Sequence, residues 1–185
     1  MRGGRAAAAR GSLQLRGVHI DTERLYLRPM TIDDVDDLVA LHADPEVSRY
    51  MRAFDREEAI ERLRADDGDW RQYGHGLFAV LAGDGGGFLG RVAVKYWPQF
   101  RETEVGWVMR RDAWGRGYAT EAARACAAWG FRQFGYPYLT AMIRPENVRS
   151  IKVAQRLGMT PLRDDALFDV PVVVHAVSRE SFSDS

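Results

Sequence analysis

"WGRGYATEA", residues Trp114–Ala122, sets two glycines one residue apart directly ahead of alanines. Glycine weakens a helix and alanine favours one, so the stretch reads as a loop turning sharply into a helix. The residues beyond it agree. Ala119, Ala122, Ala123, Cys126, Ala127, Gly130, Phe131 and Phe134 recur at helical spacing, while Glu121, Arg124 and Arg132 point the other way. A helix start leaves about four backbone N–H groups without partners and carries roughly half a positive charge. That is an anion site. Glycines at 115 and 117 remove the Cβ atoms that would keep a phosphate from those amides, and the alanines keep the helix close to a sheet. The stretch is not a P-loop, because no Lys-Ser/Thr follows the second glycine. Nor is it a dinucleotide fingerprint, because the third glycine is missing.

Working outward, "ETEVGWVM" just upstream reads as a strand. Before it, "GLFAVLA" and "GFLGRVAVKYW" read as strands joined by "GDGGG", a hairpin turn rather than a phosphate loop, since it leads into a strand. The folded part starts near Val18, with a strand in "HIDTERLYLRPM". Thr31 caps a helix with Asp33 and Asp34 in its first turn and Val35, Leu38, Val39 and His42 on one face. "ADPEVSRYM" breaks that helix at Pro45 and starts a short second one. "REEAIERLRADDGDW" is a further amphipathic helix with Ile60, Leu63 and Trp70 inward. Downstream, "YLTAMI" is a strand, "NVRSIKVAQRLG" a helix ending at Gly158, and "PVVVHAV" a last strand. Strands consecutive in sequence predict an antiparallel run, and strand–helix–strand crossings predict a parallel pair. The fold class is therefore α/β: one mixed, mainly antiparallel sheet with flanking helices.

Composition narrows the function classes. The chain has 185 residues, enough for one domain with a real core. No apolar run approaches the roughly 20 residues of a membrane-spanning helix. Residues 1–17 hold Arg2, Arg5, Arg10 and Arg16 and no acid, and read as a flexible Arg/Ala/Gly-rich tail or an organelle targeting segment, ahead of a domain over 18–185. With four of the 26 basic residues placed there, 22 remain against 26 acids. A slightly acidic body argues against nucleic-acid binding as the main task. The lone Cys126 excludes an intrachain disulfide, fits a cytoplasmic location, and falls where a small core residue is expected. The four histidines lack metal-ligand spacing, so no metal site is expected. An edge strand or helix face leaves a homodimer open.

"WGRGYATEA" is followed about 25 residues later by "RPENVRSIKVAQRLGM", and "TERLYLRP" stands near the start. Together these stretches resemble the GNAT acetyltransferase superfamily, and within it the branch of ribosomal-protein N-terminal acetyltransferases, over roughly residues 19–180. The resemblance implies a GNAT-like acyl-CoA N-acyltransferase fold, acetyl-CoA as donor and an amine as acceptor. The acceptor would be a protein N-terminus or a small molecule, attacking directly in a ternary complex. The family's pyrophosphate motif, Gln/Arg-x-x-Gly-x-Gly/Ala, falls on Trp114–Ala119. Gly117 and Ala119 match, and Trp114 stands where Gln or Arg is usual. The resemblance thus assigns Trp114, Gly115, Arg116, Gly117, Tyr118, Ala119 and Thr120 to the pyrophosphate. Trp107, Val108 and Met109 would offer backbone groups to the pantetheine arm, and Asn147 a side chain.

For the chemistry, an amine attacks a thioester only when neutral. A lysine amine with pKa ~10.4 is roughly 4–5 kcal/mol from neutral at pH 7, an α-amine with pKa ~8 about 1 kcal/mol. A general base therefore matters, most of all for lysine. The resemblance places that base at Glu104, with Glu102 in reserve, and gives Ser150 the role of proton donor to the departing thiolate. Residue types alone also allow Glu104 as a strand-edge carboxylate and "NVRS" as a helix cap. An acyl-CoA-binding sensor without transferase activity is the alternative function.

Overall fold

The computed structural model describes residues 17–83 and 86–183. Residues 1–16, nearly all of the expected tail, lie outside the described residues, as does the tip of the glycine turn, residues 84–85.

The strands are β1 (Ile20–Asp21), β2 (Leu25–Pro29), β3 (Leu77–Ala82), β4 (Phe88–Trp97), β5 (Glu102–Met109), β6 (Tyr138–Ile143), β7 (Thr160–Leu167) and β8 (Val170–Ser178). The helices are α1 (Val35–Ala43), α2 (Pro45–Ser48), α3 (Arg56–Tyr73), α4 (Tyr118–Phe134) and α5 (Val148–Arg156). One sheet of eight strands runs in the order β1-β2-β3-β4-β5-β6-β8-β7. Neighbours are antiparallel except β5 and β6, which are parallel.

The alternation of each strand sorts residues onto two faces. Leu25, Leu27, Phe78, Val92, Val94, Val105, Leu139 and Ala141 form one cluster with Ala122, Ala123, Cys126, Ala127 and Phe131 of α4. Leu77, Ala79, Ala93 and Val108 form the other with Leu38 and Leu41 of α1, Val47 of α2, and Ala59 and Leu63 of α3. The sheet is thus sandwiched, with α1–α3 on one side and α4 on the other. The small residues of α4 explain its close approach: Ala122, Ala123, Cys126 and Ala127 are fully buried.

Local chemistry sets the element ends. Thr31 accepts from the Asp33 N–H and forms a capping box with Asp34, so a single 3-10 turn over Ile32–Asp34 leads into α1. Asp44 caps α2 and Asp55 caps α3, the latter with Glu58 closing a second box.

Three expectations change. The strand in "HIDTERLYLRPM" is two strands, because Thr22 N–H and side-chain contacts with Leu25 fold the chain back on itself. The strand–helix–strand crossing β6–α5–β7 does not make a parallel pair. β8 enters between β6 and β7, antiparallel to both. Finally, "TPLRDDAL" is an edge strand that the hydrophobic pattern does not announce. Its residues are half-buried at most, and Pro161 and the acids suit an outer strand.

Candidate active site

The parallel seam is the defining irregularity of the sheet. β5 and β6 share a single aligned pair, Glu104 with Thr140. Beyond that point β5 stays with β4 and β6 with β8, so the two strands part into a wedge. The Arg110 N–H donates to the Leu89 carbonyl, 2.8 Å, which fixes the phase of the β4–β5 ladder. By alternation, Val108, Gly106 and Glu104 turn their backbone groups to β4, whereas Trp107 and Met109 turn theirs into the wedge. Of the three residues expected to offer backbone to the pantetheine arm, Val108 therefore faces the ladder. The Met109 carbonyl is already taken by the Trp114 indole N–H, 2.9 Å.

Glu104 sits at the apex of the wedge. Its Oε1 accepts from the Met142 N–H of β6, 3.1 Å, and its Oε2 from the Trp97 indole N–H, 2.6 Å. Burial pushes its carboxyl above the usual range, while these two hydrogen bonds and the charges of Lys95 and Arg91 pull the other way. A raised carboxyl held in a fixed orientation suits a proton acceptor. Glu102 is engaged otherwise. Both its oxygens take hydrogen bonds from Arg163, 2.9 Å each, and the Tyr138 hydroxyl donates to it at 3.2 Å.

At the open end of the wedge the chain passes through a 3-10 turn, Arg111–Ala113, and the glycine loop into α4. Gly115 and Gly117 both take left-handed φ, +75° and +81°. Both are exposed, and a Cβ on Gly115 would meet nothing within 4 Å. No side chain caps α4, so the N–H groups of its first turn, Tyr118, Ala119 and Thr120, point outward from the helix end. Arg111 and Arg116 are exposed beside the loop. A hollow of about 310 Å³ lies next to Arg24 and Tyr118, and one of about 640 Å³ lies between α1, α2 and the turn at Arg110–Asp112.

The loop is clamped by residues the sequence reading left without a role. Arg24 donates to the Arg116 carbonyl at 2.9 Å and makes two bonds to Glu121 Oε2, at 2.8 and 2.5 Å. Its guanidinium lies 4.7 Å from the Tyr118 ring centre. Thr22 completes the clamp by donating to Glu121 Oε1, 2.6 Å. The only signal for this in the sequence is "TERLYLRP" itself, which the resemblance included without a function.

Trp114 has a structural place. Its indole ties down the end of β5, and the Arg149 guanidinium stacks 4.3 Å from its ring. That stack brings the start of α5 to the loop. Asn147 caps α5 by accepting from the Ser150 N–H, 3.2 Å, and Tyr50 donates to the Glu146 carbonyl at 3.1 Å. Asn147 and Ser150 are both partly exposed. Lys152 and Arg156 are exposed on α5.

A splayed parallel seam, a carboxylate at its apex and a bare helix start at its mouth define an acyl-CoA-dependent acyltransferase class of site. The comparisons agree. The Acetyltransferase (GNAT) domain family matches residues 24–160, and the chain belongs to that family. It is an acetyl-CoA-dependent N-acetyltransferase. It is 32% identical over 168 residues to the uncharacterized protein YkkB of Bacillus subtilis, covering 88% of this chain and 95% of that one. A crystal structure of an acetyltransferase from Agrobacterium tumefaciens superposes with a TM-score of 0.78 at 30% identity, covering 88% and 95% of the two chains. RimL, a ribosomal L7/L12 α-N-protein acetyltransferase solved with coenzyme A, shares the fold with a TM-score of 0.75 at 15% identity, over 89% and 99%. Among the described residues no group of three or more His, Cys, Asp or Glu could hold a metal, and no helix is long and apolar enough to cross a membrane.

Proposed function

We propose that this acetyltransferase moves the acetyl group of acetyl-CoA directly onto a primary amine, within a ternary complex. The amine belongs to a protein N-terminus or a small molecule. Its nitrogen attacks the thioester carbonyl, the C–S bond breaks, and the thiolate of coenzyme A leaves. The proton lost by the amine goes to Glu104, and Ser150 gives a proton or hydrogen bond to the thiolate. The exposed amides at Gly115–Thr120 take the pyrophosphate, Trp107 and the Met109 N–H meet the pantetheine amides, and Asn147 assists.

The observation that carries this reading is the Glu104 carboxylate, oriented at the point where β5 and β6 separate. Thiol release from acetyl-CoA, measured across N-terminal peptides, polyamines, aminoglycosides and amino acids, tests it. Turnover should appear with some of these amines, and Glu104→Gln and Ser150→Ala should each lower it while acetyl-CoA still binds. Binding itself is checked by thermal shift, since ligand at about 100 times its dissociation constant adds roughly 2.7 kcal/mol of stability. Unchanged turnover in both variants would remove these two residues from the chemistry.

A further inference from the structure

On the α1–α3 side of the sheet, Arg91 of β4 is 5% exposed and, among the described residues, forms no ion pair. Its Nε–H donates at 3.4 Å to Nε2 of His42 on α1. Arginine can only donate, so His42 is neutral there with its proton on Nδ1, and it offers no counter-charge. The His42 ring lies 4.2 Å from the Phe54 ring, and the Arg62 guanidinium of α3 lies 6.0 Å from the other ring contact, Phe54. Lys95, two positions further along the same face of β4, stands opposite Glu104 and, among the described residues, forms no ion pair; its Nζ lies 4.7 Å from the centre of the Trp97 ring. Three cations thus share one face with the carboxylate at the wedge apex. Burial, and then the charge of Arg62, push the Arg91 guanidinium down to about 9, against the pull of the Asp66 and Glu104 carboxyls. Asp66 and Glu104 act on Arg91 without a direct ion pair, and a guanidinium stripped of water without a directly bonded counter-ion is costly.

The floor between the ends of this row is made of small residues, with space above Gly106. Ala93 and Gly106 face each other between Arg91 and Glu104, and a Cβ on Gly106 would meet nothing within 4 Å. The Cα atoms of Arg91 and Lys95 stand about 13 Å apart along the strand, and the long arginine side chain shortens that gap.

We infer that the acceptor is an amine that also carries an anionic group, carboxylate or phosphate, which supplies the direct ion pair that Arg91 lacks, beside Arg62, while its amine lies at Glu104. This rests on the proposed amine transfer and names its substrate class. Arg91 and Arg62 are then specificity-determining residues.

Matched acceptor pairs test it, with turnover read as thiol release: an α-amino acid against its carboxamide, and a phosphorylated amino alcohol against the free alcohol. The anionic members should be used at least tenfold better in kcat/KM, and the better pair identifies the anion. Arg91→Met, which keeps length and loses charge, and Arg62→Met, at an exposed position, should each erase most of that preference by raising KM, with the affinity for acetyl-CoA unmoved. In a separate arm, sulfate titrated into the protein–coenzyme A complex should raise Tm in the wild type and not in Arg91→Met. Equal use of neutral and anionic acceptors, or no sulfate shift, overturns the subsite and leaves amine transfer standing. Loss of acetyl-CoA affinity in Arg91→Met also overturns it, since the guanidinium would then serve the cofactor. A sulfate shift with no turnover on any amine upholds the anion subsite and contradicts amine transfer.

Discussion

Two glutamates two positions apart on β5 show how environment assigns roles to one residue type. Glu102 is 8% exposed and spent on Arg163, whereas Glu104 keeps a raised carboxyl aimed into the wedge. With Glu104 as the proposed base, Glu104→Gln should lower kcat by about 10²- to 10⁴-fold, the usual range for a lost general base. It should also remove the acidic limb of the pH–rate profile, because the base works only when deprotonated and its carboxyl lies above the ordinary range. Glu102→Gln should act in the opposite way, lowering Tm through the weakened Arg163 pair, by about 1–3 kcal/mol of stability, with kcat little changed. Steady-state kinetics and thermal melts on the two variants separate them. The sequence allowed either residue as base, because strand periodicity puts both on one face. What distinguishes them comes from Arg163, Trp97 and Met142, partners on other strands. The same limit applies to Trp114 and Arg24, whose identities are plain but whose contacts, Met109, Arg149 and Glu121, depend on the folded topology.

At the scale of the element, α4 carries two demands. Its start must stay bare and its buried face must stay small. Gly117 answers the first, with φ +81° and the Arg24 guanidinium 3.4 Å from where a Cβ would stand. Gly117→Ala adds left-handed strain of roughly 1–2 kcal/mol and a methyl beside the amides, so acetyl-CoA affinity should fall about tenfold or more by calorimetry. Gly130 is different. It lies inside the helix, and its Cβ would meet Leu139 and Val94 at 3.8 Å, ordinary contact. Gly130→Ala should raise stability by about 0.5–1 kcal/mol with unchanged turnover. Elements with strong local signals were legible: the glycine-then-alanine junction, the Thr31 cap and the apolar runs of β3 to β6. The edge strand β7 and the entry of β8 beside β6 were not. An exposed strand shows little hydrophobic contrast, and strand order is set by which edge remains open once β6 is laid down.

For the whole molecule, the buried titratable groups behind the sheet predict an unusual balance of stability with pH. Asp66 of α3 is 6% exposed, with Oδ1 accepting from the Leu77 N–H at 2.8 Å and Oδ2 unpartnered. Burial raises its carboxyl to about 7. In the unfolded chain it titrates near ~3.9, so between these values the folded state holds the extra proton, and stability falls as pH rises. His42 acts in the other direction. Burial, with the charges of Arg91 and Arg62, lowers it to about 3 against ~6.5 unfolded, so stability rises with pH over that interval. His75, also lowered by burial, adds to the rise. Glu104, whose carboxyl burial also raises, adds to the fall, so the opposing slopes largely offset each other and the wild type should change little between about pH 4 and 6.5. Asp66→Asn keeps the acceptor for Leu77 and removes one slope. Its stability should climb steadily over the same range, so that its deficit against the wild type shrinks by about 2–4 kcal/mol between pH 4.5 and 7.5. Urea unfolding at a series of pH values measures both curves. Two parallel curves would mean that Asp66 is ionised throughout, and that the cations opposite it, Arg62 and Lys95, are already engaged with its charge.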